Sequence, residues 1–512
     1  MSRQTGSYTP ARRPEPSARP KLFTRLSEPA TRRKLPTWRD DDRLRDECGV
    51  MAVSGGHSAA QLTSLGLYAL QHRGQESCGI VSIDEHEKAH LHKAMGLVSD
   101  VFDDAALARL PGATALGHTR YSTAGSSSVR NAQPVVVNYR HGFMAIAHNG
   151  TLTNAGQLRD SLTDEGAIFQ TDSDSEAVIH LIARSRRATP DQQVDDALSQ
   201  LEGAFSMVLS IGRTVYAVRD ARGFRPLVLG RLDGAAVVAS ETCALDIMGA
   251  EYVREIEPGE VLKIRDGRVM SLRPLEPAPH SPCLFELVYF ARPDSTVYGT
   301  SVDRARRAFG RQLAREHPVE ADCVFAVPDS SNSAALGYAE ESGVPFELAL
   351  IRNHYVGRTF IHPSQAARDF KVRVKYNPVR ELIDGRRVIV VDDSLVRGTT
   401  SRGLVALLRE QGAREIHFRI ASPPIISPCY YGIDMPTREE LIGAAKTVPE
   451  IGRHLGVDSI GYLSLEGMRE AVGAVGSAVG AASTFCTACW TGDYPAPLVD
   501  LEAGLAAAGT GR

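Results

Sequence analysis

No stretch of this 512-residue chain supplies the roughly 18 consecutive apolar residues that a membrane-spanning helix needs, so no membrane association is expected. Charge of one sign is also scarce. The 58 Lys and Arg against 61 Asp and Glu leave a formal net charge of −3, and the basic residues form no dominant stripe, which excludes a general affinity for nucleic acid. Cysteine is too sparse for a disulfide scaffold. Eight cysteines in such a length, without a secretory signal, point to a reducing compartment, here the cytoplasm, where thiols serve packing, catalysis or metal. There is no internal repeat. What is present, 43% hydrophobic and 23% charged residues, is the composition of a globular protein. The length exceeds one ordinary core, so two domains are expected.

Residues 1–47 read as a disordered leader. Prolines at 10, 14, 16, 20, 29 and 36 accompany an absence of hydrophobic periodicity. An Arg- and Ser-rich start has the flavour of an organelle transit peptide, but those prolines and the acids Asp40–Asp42 oppose it; a removable propeptide is the expectation. From Cys48 to about residue 275, β-like runs alternate with helical stretches: Val50–Val53, Gly79–Ile83, Ala115–Gly117, Phe143–His148, Ser206–Ile211, Val215–Val218, Leu227–Leu229 and Val237–Ala239. Their close spacing suggests antiparallel pairing in an α+β layered domain. A proline-rich linker, 274–282, follows. Beyond it Val324–Val327, Phe346–Ile351, Val388–Val391 and Ile416–Ala421 are separated by helix-length segments, the spacing of a parallel, doubly wound α/β sheet. The expected division is a leader at 1–47, a first domain at 48–278, a second at 279–497 and a flexible tail at 498–512.

Cys48 stands where the leader meets the first strand, in Asp46-Glu47-Cys48-Gly49-Val50. Cleavage after Glu47 gives it a free α-amine, whose reference pKa near 8 lets it act as base for its own thiol. Downstream, Gly117-His118-Thr119-Arg120-Tyr121-Ser122-Thr123 offers a guanidinium fork suited to a carboxylate. Ala147-His148-Asn149-Gly150 ends a strand with an amide beside a glycine whose backbone can approach a substrate closely. Thr171-Asp172-Ser173-Asp174-Ser175-Glu176 adds acids before a helix. Taken singly, these are equally a surface ion pair, a β-turn and an N-cap. In this order they resemble the glutaminase domain of the N-terminal-nucleophile (αββα) amidotransferases. The resemblance implies that Cys48 attacks the glutamine amide, that Asn149 and Gly150 form an oxyanion hole, that Arg120 grips the substrate carboxylate with Thr123 beside it, and that Asp174 holds the ammonium. Arg73, in Gln71-His72-Arg73-Gly74-Gln75-Glu76, takes a supporting place among the glutamine-binding residues.

The most informative stretch is Val388-Ile389-Val390-Val391-Asp392-Asp393-Ser394-Leu395-Val396-Arg397-Gly398-Thr399-Thr400. A buried strand runs into paired acids, then a Gly- and hydroxyl-rich loop, then a helix. Ligands bind at such carboxyl ends of parallel strands, and loop amides with a helix N-terminus cradle phosphate. The Gly-Lys-Ser/Thr ending of a Walker loop is missing. The pattern matches the phosphoribosyl pyrophosphate (PRPP) motif of type I phosphoribosyltransferases. By that resemblance Asp392 and Asp393 face the ribose and its Mg²⁺, and Ser394, Arg397, Gly398, Thr399 and Thr400 hold the 5′-phosphate. Asp329, Ser330 and Ser331 form the pyrophosphate loop, with Ser330 a further Mg²⁺ ligand. Arg352, Tyr355, Arg358 and Lys375 belong to a loop that closes over PRPP.

Cys486-Thr487-Ala488-Cys489 lies near the end of the chain, with Cys283 and Cys429 far upstream. Spacing alone leaves zinc and an iron–sulfur cluster open. The residues around all four cysteines resemble the [4Fe–4S] class of the amidophosphoribosyltransferase family, which implies a structural cluster. Cys78, Cys243 and Cys323 sit in apolar contexts and are expected in the core. Joined, the halves imply an enzyme moving ammonia from glutamine to C1 of PRPP, subject to purine-nucleotide feedback and assembled as a homotetramer. A PRPP-sensing regulator with a vestigial glutaminase domain is the alternative.

Overall fold

The structure, a computed structural model, describes residues 48–121, 128–272, 275–353, 372–476 and 485–503. The leader, Thr123, Tyr355 and Arg358 lie outside the described residues. In the first half the strands are β1 (Gly49–Ser54), β2 (Ser77–Ile83), β3 (Ala89–Met95), β4 (Thr114–Arg120), β5 (Val135–Tyr139), β6 (Gly142–Leu152) and β7 (Gly203–Ile211). They continue with β8 (Thr214–Arg219), β9 (Val228–Leu232), β10 (Ala235–Ala239), β11 (Glu251–Glu255), β12 (Val261–Arg265) and β13 (Arg268–Leu272). They pair into a seven-stranded sheet, β11-β9-β10-β1-β4-β2-β3, and a six-stranded sheet, β13-β12-β8-β7-β6-β5.

Strand period explains the layering. On β1, Val50 and Ala52 enter the layer between the sheets with Leu116, Ala145, Ala147 and Val208. Met51 and Val53 face the opposite way, against Leu67 of helix Ala59–Ala69 and Leu245 of helix Cys243–Met248. The outer face of the second sheet is covered likewise by helices Ser175–Arg184 and Pro190–Leu198. Both faces of the central strands are buried, so sequences such as those of β1 and β10 are nearly unbroken apolar runs, unlike those of the edge strands β3, β11 and β13. The four layers are the αββα arrangement expected for the glutaminase half.

The second half contributes β14 (Thr296–Val297), β15 (Thr300–Ser301), β16 (Cys323–Ala326), β17 (Leu350–Arg352), β18 (Tyr376–Pro378), β19 (Arg387–Asp392), β20 (Glu415–Ile420) and β21 (Ser459–Tyr462). β16, β19, β20 and β21 form a parallel sheet in that order. Ile389 and Val391 pack on one face and Val388 and Val390 on the other, so the Val-Ile-Val-Val run is apolar at every position. The strand expected at Phe346–Ile351 is reduced. Phe346 makes a lone parallel bridge to Val324, Leu348 is exposed, and Leu350–Arg352 pairs antiparallel with β18 instead.

The tail expected from residue 498 is anchored at its start. Leu498 is buried beside Phe224 and Tyr431. The Asp500 carboxylate accepts from the N–H groups of Gly156 (2.7 Å) and Gln157 (3.0 Å) at the start of helix Ala155–Asp164. Those helix-start donors have no partner within the helix, and an acid supplied from the far end of the chain satisfies them.

The halves are locked by buried charge. The short π-helix Glu286–Phe290 presents Glu286, fully buried, to two arginines of the first half. Arg73 donates to it through Nη2 at 2.6 Å and Nη1 at 3.3 Å, and Arg225 Nη1 lies 3.5 Å from its Oε1. Arg73 also donates through Nε to Glu241. Burial alone raises the Glu241 carboxyl, but Arg73 and His72 outweigh it and hold it below the usual range. Removing one member of such a set strands the others without compensation. Glu286→Gln is therefore expected to destabilise the protein by about 3–5 kcal/mol, read as a lower midpoint of thermal unfolding. Asp294→Asn, in the exposed Arg292–Asp294 pair, should change stability by less than about 1 kcal/mol; equal effects of the two would contradict a structural role for the buried network.

Candidate active site

Antiparallel pairing of Gly49 with Thr119 sets Cys48, one step back along β1, opposite Arg120. The Cys48 thiol donates to the Tyr121 carbonyl (3.6 Å) and is nearly buried. Arg120 is buried with its Nη1 3.8 Å from Glu76 Oε1. The Arg120 guanidinium thus comes from the strand that pairs with the one led by Cys48. The Arg73 side chain has no exposed surface, and its guanidinium donates to the buried carboxylates of Glu241 and Glu286.

Asn149 and Gly150 lie side by side on β6 with donors to offer. The Asn149 side chain is fully buried, yet neither its nitrogen nor its oxygen has a hydrogen-bond partner among the described residues. Gly150 stands opposite Phe205 on β7, but Phe205 accepts a hydrogen bond from the Asp220 N–H (2.9 Å) and donates its own N–H to the Asp220 carboxylate (3.2 Å). The ladder therefore leaves the Gly150 N–H unused. Its neighbours on the same strand edge are taken: His148 N–H donates to Gln133 Oε1 at 2.8 Å and Leu152 N–H to Asp174 Oδ2 at 3.0 Å. Buried donors without partners are costly. The buried Asn149 amide and the half-buried Gly150 N–H beside it are two adjacent donors of the kind that can stabilise an oxyanion.

Asp174 precedes helix Ser175–Arg184 but makes no side-chain cap to it; its carboxylate turns to β6 instead. Burial raises it, but the nearby His148, 3.6 Å away, and the Leu152 and Ser175 bonds together hold it below the usual carboxylate range. It stays an anion, the state needed to hold an ammonium. His118, on β4, ties the sheets together through Nε2 and the His148 carbonyl (3.1 Å). Burial drives its pKa down to about 3, so it is neutral, and its Nδ1 has no partner among the described residues.

The second constellation lies at the carboxyl end of β19. Ser330 Oγ donates to Asp393 Oδ2, Ser331 Oγ to Asp392 Oδ1 (3.1 Å), and Ser394 Oγ to Asp393 Oδ1 (2.7 Å). The expected pyrophosphate loop and the paired acids are thus one hydrogen-bonded unit. Gly398, at φ 80°, turns the chain into helix Thr399–Glu410, placing Thr399 and Thr400 in its first turn, the end of a helix whose dipole favours an anion. A small cavity beside the acids is lined by Thr400, Ser401 and, from the π-helix, Tyr289. Arg397 pairs with Glu440 (3.3 Å) and Arg352 with Asp329 (2.7 Å), while the Lys375 ammonium lies over the Tyr376 ring (5.7 Å).

The four candidate cluster cysteines come from three segments joined by backbone bonds. Cys486 N–H donates to the Pro282 carbonyl (2.8 Å), and the Ile426 and Ser427 N–H groups both donate to the Cys489 carbonyl. Burial pushes the Cys486 thiol up to about 12. Cys489 is raised by burial and then by Cys283, Cys486 and Cys429, so all four thiols feel one another. Among the described residues no group of three or more His, Cys, Asp or Glu is arranged around one metal ion. Cys78, Cys243 and Cys323 are buried core residues, as expected.

Residues 118–246 match a family model described as a glutamine amidotransferase domain. Amidophosphoribosyltransferase 1, chloroplastic, of Arabidopsis thaliana is 51% identical over 89% of this chain and 80% of its own length. Amidophosphoribosyltransferase of Bacillus subtilis is 48% identical over 88% of this chain and 94% of its own. The chain belongs to the amidophosphoribosyltransferase family. A solved structure of the glutamine PRPP amidotransferase from B. subtilis, complexed with ADP and GMP, superposes with a TM-score of 0.83, 47% identity and coverage of 88% of this chain and 98% of that one. Another, described as the allosteric regulatory enzyme of purine biosynthesis, gives 0.84 at 48% identity, covering 88% of this chain and 97% of that one.

Within this amidophosphoribosyltransferase frame, three features escaped the sequence. Tyr289 sits in an apolar run that reads as core. Glu286 gave no sign of its distant arginine partners. Gln133, which holds His148 in place, resembles any loop amide.

The neutral His118 makes a pH prediction. Its folded pKa lies below the unfolded value, so the unfolded chain binds the extra proton as pH falls from about 6.5 toward 3, and stability falls with it. The slope from this one group reaches at most about 1.4 kcal/mol per pH unit. His118→Gln should flatten the loss of stability between pH 6 and 4 in denaturant titrations; an unchanged slope would mean that His118 titrates normally.

Proposed function

We propose that this protein transfers ammonia from glutamine to C1 of PRPP, giving 5-phosphoribosylamine, pyrophosphate and glutamate, the opening step of purine nucleotide synthesis. The observation that carries the reading is the pair of unpartnered donors, Asn149 Nδ2 and Gly150 N–H, in the same chain as the Ser330–Asp393 unit. With residues 1–47 removed, the Cys48 α-amine takes the thiol proton as sulfur attacks the glutamine Cδ. The tetrahedral oxyanion forms between Asn149 and Gly150. Collapse expels ammonia and leaves a thioester, which water hydrolyses to glutamate. At the second site ammonia attacks C1 of PRPP and pyrophosphate departs.

Ser330, Asp392 and Asp393 would hold Mg²⁺, which supplies neutralisation of the pyrophosphate charge when bound. Their mutual hydrogen bonds supply oxygen donors alone, the ligand chemistry of a hard cation. Cys283, Cys429, Cys486 and Cys489 would hold a [4Fe–4S] cluster. Cys283 and Cys489 are buried and Cys429 and Cys486 half-buried, and the other three thiols lie close enough to Cys489 to raise it, which supports one group shared by all four. Feedback by purine nucleotides and a homotetrameric assembly belong to the same reading, the former supported by the ADP and GMP in the B. subtilis structure. A cytoplasmic location is supported by eight cysteines, none of them in a disulfide. No helix among the described residues is long and apolar enough to cross a membrane.

Two measurements test the reading. Cys48→Ala should abolish glutamine-dependent synthesis while sparing synthesis from added ammonium; equal loss of both would argue against two separable sites. Intact mass of protein purified without oxygen should correspond to a chain beginning at Cys48, with four irons and four sulfides retained under native conditions. A chain that keeps residues 1–47 and still hydrolyses glutamine would remove the α-amine from the mechanism.

A further inference from the structure

Gly150 is placed by something outside its own domain. Its φ of +136° is a conformation open to glycine and strained for other residues, and its N–H makes no ladder bond to hold it. Packing holds it instead. A Cβ on Gly150 would stand 2.1 Å from the Ala204 carbonyl oxygen, so that side is closed. Against it lies Gly432, from the segment that follows Cys429. A Cβ on Gly432 would stand 3.0 Å from Gly150 Cα and 3.2 Å from its carbonyl carbon. Two glycine backbones are thus in direct apposition, and the second belongs to the phosphoribosyl half.

Gly432 is itself held by Arg225. The Arg225 side chain has no exposed surface and donates through Nε (3.0 Å) and Nη2 (2.7 Å) to the carbonyl of Tyr431, the residue before Gly432. Its Nη1 reaches Glu286. The Arg225 carbonyl accepts from Ser206 Oγ at 3.1 Å, and Ser206 is the β7 partner of Asn149. One residue therefore touches the supports of both donors: the strand behind Asn149 and the segment behind Gly150. Phe224 stacks on Tyr431 with ring centroids 4.4 Å apart, and the Tyr431 hydroxyl donates to the Ala496 carbonyl (2.7 Å), so the segment cannot retreat.

We propose that Arg225 and Gly432 are positioning residues for the oxyanion hole, setting the direction of the Gly150 N–H from the phosphoribosyl half of the chain. The inference rests on the glutaminase reading of Cys48 and deepens it. Neither residue touches substrate. Their effect appears where charge develops on oxygen, because a donor displaced by a fraction of an ångström loses most of its value to an oxyanion and little to a ground-state amide.

The test compares Gly432→Ala, Arg225→Gln and Arg225→Lys with wild type in the full-length protein. Wild type must first hydrolyse glutamine and bind glutamate γ-semialdehyde, to which the Cys48 thiol adds, forming the C–S bond and placing negative charge on the former carbonyl oxygen. Failure there sinks the proposed function and not this inference. Given that, Gly432→Ala and Arg225→Gln should lower kcat for glutamine hydrolysis roughly 10- to 100-fold with KM nearly unchanged. Affinity for the semialdehyde should fall by the same factor, affinity for glutamate should hold, and ammonium-dependent synthesis should persist. Arg225→Lys, which keeps a donor for the Tyr431 carbonyl, should recover part of the loss. Unchanged semialdehyde affinity in both variants overturns the proposal. So does parallel loss of glutamate binding and ammonium-dependent synthesis in both, which marks a general structural role.

Discussion

Glu286 sits between Arg73 and Arg225 with no exposed surface on any of the three, and much of the remaining architecture is arranged around that fact. Charges so far from water are tolerable only when each is matched and hydrogen-bonded. Arg73 has Glu241 as its second carboxylate, and Arg225 has the Tyr431 carbonyl. Satisfying these groups requires the glutaminase sheets, the π-helix Glu286–Phe290 and the segment after Cys429 to meet in one place. The interface is thereby specified by charge as well as by apolar contact.

The same π-helix lies close to three chemistries. Cys283 precedes it, Glu286 binds the arginines of the first half, and Tyr289 lines the cavity beside Asp392 and Asp393. A wide helical turn is a common feature at functional positions. Here it sets a fixed spacing between the candidate cluster thiols, the glutaminase network and the phosphoribosyl pocket. A rigid connection of this kind suits a reaction whose intermediate, ammonia, must not escape to water.

Most strands buried on both faces were legible in the sequence: β1, β7 and β19 and the first part of β6 are largely apolar runs because the sheets are covered on both sides, and β20 was legible from the alternation of Ile416, Phe418 and Ile420 with polar residues. Strands β3, β11 and β13 were not, since each lies at or near a sheet edge and carries exposed, charged residues. Phe346–Ile351 was misjudged because β-forming residues there pair only briefly. Among candidate site residues, Cys48, Arg120, Asn149, Gly150, Asp174 and the Asp392–Asp393 pair stood out in the sequence because each lies in a short local motif that resembles the family's. The carboxylate partners of Arg73 were not legible, because they lie 168 and 213 residues away.

By itself, then, the amino-acid sequence determined the two candidate motifs, the layered first half and the parallel sheet of the second. Each follows from short-range pattern: alternation, a strand running into acids, a glycine beside an amide. Tertiary structure alone decided which donors are left without partners, which carboxylates the buried arginines meet, and that Gly432 backs Gly150. Those outcomes depend on atoms brought together from opposite ends of the chain, and no local rule of hydrogen bonding or burial can anticipate which partner arrives.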